Sequence, residues 1–202
     1  MHFAPQVIPK HKIFLSFHHK DEGYRQQFEK TFSNEIEEVF VNRSVQDGDI
    51  APNNQTDTIR REIRDNFISD STVTIVLIGS DTWKRKHVDW EIGYSLTQTS
   101  QNSRSGLIGI LLPTYVPCLK SDKNCDYQRT ENSGYYTPCN IPPRLYDNVQ
   151  SGYAKIYSYP SSAMELKKWI HDAFLRRNQT NYKNNRTYFA NNRDQSQTHW
   201  QD

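Results

Sequence analysis

The chain has 202 residues, enough for one α/β domain with an ordinary core but too few for two substantial domains. Apolar residues make up 35% and aromatics 12%, which predicts a compact, aromatic-rich core with polar extensions outside it. Lysine and arginine number 25 against 23 acidic residues, and a net charge of +2 excludes a general field for nucleic acid or for an anionic membrane surface.

Residues 1–12 are interrupted by Pro5 and Pro9 and lack the apolar run of about 7 to 15 residues that a secretory signal needs. No stretch approaches the roughly 18 apolar residues of a membrane span, so a soluble, cytoplasmic protein is expected. Lys12-Ile-Phe-Leu-Ser-Phe17 is a short β-favouring run, read as a buried first strand. Tyr24, Phe28 and Phe32 recur every four residues and predict a helix whose stripe faces a sheet. Val39-Phe-Val41 predicts a second strand, followed by a long polar loop over 46–54. Ile59, Ile63 and Phe67 predict a second helix.

Thr72-Val-Thr-Ile-Val-Leu-Ile78 has the β-branched, two-sided apolar character of a central strand. A helix with core stripe Val88, Ile92 and Leu96 follows, with Ser80, Asp81 or Thr82 as its expected cap. Leu107–Leu112 is a further strand, stopped by Pro113. From 116 to 152 the pattern breaks down, which predicts an irregular insertion packed on the domain. It holds all three cysteines, Cys118, Cys125 and Cys139, without C-x-x-C spacing, and these are expected as reduced thiols. Ala154–Tyr159 predicts the last strand. Ser162 and Glu165 form a capping box ahead of Leu166, Ile170 and Phe174. Residues 179–202 are polar and aperiodic and are expected to be a flexible tail, with Tyr188, Phe189 and Trp200 as anchors for a partner.

Alternating strands and helices over 10–178 imply a flavodoxin-like, three-layer α/β domain around a parallel sheet of about five strands. Ligands in such sheets bind beyond the carboxyl ends of the strands, where strand order reverses. The candidates at that rim are Ser16 to Asp21, Gln46 to Asp49, Gly79 to Trp83, and the helix carrying Trp90 and Glu91. Glu91 lies about 60° from the near edge of the buried stripe, which predicts a half-buried carboxylate. Periodicity alone leaves a salt bridge or a cap as its role, and leaves Trp90 as a core aromatic. His18 and His19, adjacent at a strand end, point in different directions and have no further ligand at helical spacing, so no metal is expected. Neither a G-x-S-x-G elbow nor a glycine-rich phosphate loop is present. Gly79-Ser80 stands where a response regulator would carry its phosphoacceptor aspartate.

The segments Lys12–Asp21, Val73–Ser80 and Val88-Asp-Trp-Glu-Ile92 together resemble the TIR-like domain of bacterial Thoeris antiphage systems, over roughly residues 10 to 115 and more weakly to about 178. The resemblance implies that Glu91 is a catalytic carboxylate engaging the nicotinamide-side ribose of NAD. NAD is then a substrate, and no cofactor is needed. The implied products are nicotinamide and an ADP-ribose signal, often cyclic, that activates a partner effector. By position, Ser16, Phe17 and His18 line the same crevice, with Ser80 at the end of the third strand, Asp47 on the loop after the second, and Trp83 or Trp90 as stacking aromatics. Partners implied are NAD, further TIR copies, an effector reached through the nucleotide, and a phage-derived trigger. His87 occupies the position, four before the glutamate, where many TIR enzymes carry tryptophan. The contrasting reading is a non-enzymatic adaptor acting through TIR–TIR contacts.

Overall fold

The computed structural model describes residues 8–32, 40–41, 68, 70–98, 103–118, 126–179 and 181–200. In chain order the strands are β1 (Ile13–Ser16), β2 (Phe40–Val41), β3 (Val73–Ile78), β4 (Gly106–Leu111), β5 (Gln128–Arg129), β6 (Tyr135–Tyr136) and β7 (Ala154–Tyr157). The helices are α1 (Glu22–Phe32), α2 (Lys86–Ser95), α3 (Pro143–Gln150) and α4 (Ala163–Arg176). The predicted helix around Ile59, Ile63 and Phe67, and Asp47 on its preceding loop, lie outside the described residues.

Five strands pair in parallel in the order β2-β1-β3-β4-β7, the flavodoxin-like arrangement that the alternation predicts. The alternation of side chains along β3 shows why the sheet must be covered twice. Ile75 and Leu77 face one core, with Phe28 and Phe32 of α1 and Leu166, Trp169 and Ile170 of α4. Val76 and Ile78 face the other, with Val88 and Ile92 of α2 and Leu145 of α3. Each such fully buried aliphatic side chain is worth about 1.5–3 kcal/mol of hydrophobic transfer, so both helical layers are required. At α4 the Ser162 hydroxyl accepts from the Glu165 N–H at 3.2 Å, as the capping box predicts, but the Glu165 carboxylate returns to Ser161 rather than to Ser162.

Three expectations are corrected. The insertion is not wholly irregular: it contains the antiparallel β5–β6 pair and the helix α3, whose Leu145 and buried Arg144 pack inward. Its polar composition concealed a helix that buries one narrow stripe. The cysteines are not all reduced, because Cys139 is disulfide-bonded whereas Cys118 is a free, buried thiol packed beside it. Folding of the insertion sets Cys118 beside Cys139, which spacing along the chain does not reveal. Lastly, residues 181–200 form no helix or strand, yet they are packed along α2 and α3 rather than left as a free tail. Their Trp200 is 4% exposed, its indole N–H donates to the Ile141 carbonyl at 2.8 Å, and its backbone N–H donates to the Cys139 carbonyl. Hydrogen bonds to fixed groups hold this polar segment, which a hydrophobicity pattern cannot register.

Candidate active site

The chain runs from β1 outward to β2 and then crosses back to β3 on the other side of β1. Strand order therefore reverses between β1 and β3, and the crevice of such a sheet opens at their carboxyl ends, beside Ser16 and Ile78. The residues following these two strands, together with α2, make up the site.

Ser16 is fully buried at the last position of β1, and its hydroxyl donates to Glu91 Oε2 at 2.6 Å. Glu91 is 1% exposed, so the expected half-buried carboxylate is in fact fully enclosed. The reason lies on the other side of the helix. Residues Val88 to Gly93 are all buried, because α2 is sandwiched between the sheet and the segment 183–193. Helical periodicity counts one buried face, and α2 has two.

His18 follows at the end of β1 and is 1% exposed. Its Nδ1 accepts the Lys20 N–H at 3.2 Å, so the neutral ring carries its proton on Nε2. Burial above all, then the positive charge of Arg85, lowers the His18 pKa to about 4, so the ring is neutral at physiological pH. Its Nε2 is buried with no hydrogen-bond partner among the described residues.

The three central strand ends are tied together by side chains. Asp21, in the 3-10 turn His19–Asp21, accepts the Thr114 hydroxyl at 2.7 Å, and Thr114 in turn offers its carbonyl to the Ser80 hydroxyl. A β-carbon at Gly79 would fall 2.2 Å from Asp21 Oδ2, so this close approach requires glycine. Burial raises the Asp21 carboxyl above its usual range. Around this core, Asp81 bonds both Lys20 and Lys84.

The remaining candidates divide. Phe17, 6% exposed, belongs to the core under α1, with Arg25 over its ring, rather than to the crevice. Trp83 donates its indole N–H to the Ser80 carbonyl, and Trp90 donates to the Phe189 carbonyl at 2.8 Å. Both are 1% exposed, so neither ring offers an open face for stacking. Asp47 lies outside the described residues. Thus Ser16 and Glu91 touch, His18 and Ser80 stand at the same pair of strand ends, and the three aromatics serve packing.

The capping of α2 also differs from expectation. Ser80 and Asp81 precede a 3-10 turn, Thr82–Lys84, which Thr82 opens, and the helix begins only at Lys86 with Arg85 as a cap that offers no side-chain bond. The acceptor comes from far along the chain: Asn192 Oδ1 takes the Lys86 N–H at 3.0 Å.

Among the described residues, no group of three or more His, Cys, Asp or Glu is gathered as a metal site. No described helix is long and apolar enough to cross a membrane.

The family model for the TIR-like domain of the Thoeris protein ThsB matches residues 14–116, just over half of the chain. The chain belongs to the ThsB TIR-like family. The match runs from β1 through β4 and contains Ser16, His18, Ser80 and Glu91, so the switch-point crevice lies wholly within it. Family membership supports a role in antiphage defence. The parts of this ThsB-family chain that lie beyond the match include the β5–β6 pair, α3, β7, α4 and the segment 181–200. Two of them reach back to the site. Asp89, two residues before Glu91, is 2% exposed and is held by Arg144 of α3 through Nε at 2.9 Å and Nη2 at 3.2 Å. Its Oδ2 also accepts the Phe189 N–H at 3.0 Å. Sequence reasoning passed over Asp89 and Arg144. The available signal was an acidic residue on a stripe that should be apolar, which has to find a cation when it is buried.

Proposed function

We propose that this ThsB-family chain is an NAD-consuming signal synthase of antiphage defence, in which Glu91 stabilises the transition state for loss of nicotinamide. The observation that carries the reading is a fully enclosed carboxylate at the strand-order switch that accepts the Ser16 hydroxyl. Breaking the bond between the ribose carbon and nicotinamide sends the electron pair out with the leaving group and leaves positive charge on the ribose. A fixed anion in a water-poor crevice stabilises that charge more than it stabilises bound NAD, which is the condition for catalysis. Attack by water yields ADP-ribose, whereas attack by an atom of the same nucleotide yields a cyclic product, with one proton released in either case. His18 suits the crevice as a neutral N–H donor, since a cationic ring would oppose the developing positive charge. The diffusible product then activates an effector, self-association covers the crevice against water, and a phage component triggers the enzyme.

A second reading has its own support. The Ser16–Glu91 hydrogen bond ties β1 to α2, which is also what a purely structural glutamate in an adaptor would do. The test is to incubate the purified protein with NAD, with and without lysate of infected cells, and to follow nicotinamide and new nucleotides by mass spectrometry. Nicotinamide release by the parent and its loss in Glu91→Gln supports the enzyme. No release under either condition, with Glu91→Gln protecting cells like the parent, supports the adaptor.

A further inference from the structure

We propose that residues 183–200 form a strap that positions the Glu91 helix for the reaction, an inference that rests on reading Glu91 as catalytic. Three observations converge on it. The first is that one strap residue brackets the approach to Glu91 with its backbone: the Phe189 N–H donates to Asp89 and its carbonyl accepts from Trp90. The two residues immediately before Glu91 are thereby fixed to the backbone of one residue, Phe189. Next, the strap completes the start of the helix. No local side chain caps α2, and Asn192 accepts the Lys86 N–H in its place. Finally, the strap is seated on the last turns as well. Asn184 donates its amide to the Gly93 carbonyl at 2.9 Å, and the Tyr188 ring lies so close to Gly93 that a β-carbon there would come within 2.2 Å of it.

The strap is anchored on parts of the domain other than α2. At one end the Asn148 side chain of α3 exchanges two hydrogen bonds with the Lys183 backbone, at 2.7 and 2.9 Å. At the other end Trp200 is buried against the insertion. A segment fixed at both ends and bonded along α2 constrains where that helix sits over β1, and hence how Glu91 meets a ribose. Misplacement of a reacting group by about 1 Å can cost on the order of a hundredfold in rate, so a remote segment can govern kcat without touching substrate.

The experiment uses full-length variants assayed for NAD cleavage in the presence of infected-cell lysate, alongside hydrogen exchange. Asn192→Ala removes the cap, and kcat is expected to fall about fivefold or more with KM within about twofold of the parent. Tyr188→Ala is expected to lower kcat about tenfold. Asn192→Asp retains an acceptor and should restore parental kcat. In both alanine variants the α2 amides should exchange faster while those of β3 and β4 keep their protection. Parental kcat in both alanine variants overturns the proposal, and so does a loss of protection spread equally over β3 and β4, which marks a general stability effect. If the parent itself releases no nicotinamide, the reading of Glu91 fails, an outcome distinct from cleavage that is indifferent to the strap.

Discussion

Ser16 at the carboxyl end of β1 donates its hydroxyl to Glu91 of α2 at 2.6 Å, across 75 positions of sequence. Both residues are buried, so the bond joins two polar groups that water does not reach. Ser16→Ala removes this hydrogen bond to a buried carboxylate, at a cost of about 1–3 kcal/mol. Glu91→Gln preserves the volume and an oxygen acceptor for Ser16, so it should be nearly neutral for folding. Urea unfolding of the two variants checks this order, and a larger loss in Glu91→Gln would contradict it.

The buried Asp89–Arg144 pair should be sensitive to losing either member. Arg144→Met leaves an uncompensated charge on Asp89, and a loss of about 3–5 kcal/mol is expected. Asp89→Leu should be similarly costly for the stranded guanidinium. The double variant should lose much less than the sum of the two, because it buries no lone charge. A double-mutant cycle by chemical unfolding measures this, and simple additivity would show that the two side chains are uncoupled.

Histidines set the acid side of stability. His18 is buried beside Arg85, with the Asp81 charge acting in the opposite sense, and its pKa falls from 6.5 to about 4. His11, buried and 3.0 Å from the His171 ring, falls likewise to about 4. Both groups take up a proton more readily in the unfolded chain. Their contribution is therefore complete above about pH 6.5 and is lost as pH drops through the interval from 6.5 to 4, with a slope of up to about 1.4 kcal/mol per pH unit for each. Unfolding free energies at a series of pH values should show this decline, and His18→Gln should flatten it. An unchanged slope in His18→Gln would refute the assignment.

Much of this architecture is legible in the chain itself. Strands β1, β3, β4 and β7 announce themselves as short apolar runs, and their order, once known, puts the crevice where Ser16, His18, Ser80 and Glu91 had been gathered by position. What escapes is whatever depends on partners distant in sequence. The cap of α2 could not be read from its flanks because Asn192 supplies it 106 residues later. Glu91 is fully rather than half buried because a polar segment, invisible to a hydrophobicity pattern, covers the outer face of its helix. Trp90, a plausible stacking ring in sequence, spends its indole N–H on that same segment.

Gly93 gives a direct probe of the strap. Alanine in a helix interior is favoured over glycine by about 1 kcal/mol, yet at Gly93 the new methyl would collide with Tyr188. Gly93→Ala in the parent should therefore be destabilising by about 1–3 kcal/mol through the displaced ring. In a Tyr188→Ala background the obstacle is gone, and the same change should become neutral or stabilising. Thermal unfolding of the four proteins decides it, and a sign that does not change would place Tyr188 away from Gly93 in solution.

The role of Glu91 is tested by nicotinamide release from NAD by the parent and by Glu91→Gln, each verified as folded, in lysate of phage-infected cells. The parent should release nicotinamide together with a new ADP-ribose-derived nucleotide, and Glu91→Gln should reduce that release at least about a hundredfold if Glu91 stabilises the transition state. A folded Glu91→Gln protein that releases nicotinamide at the parental rate would contradict it.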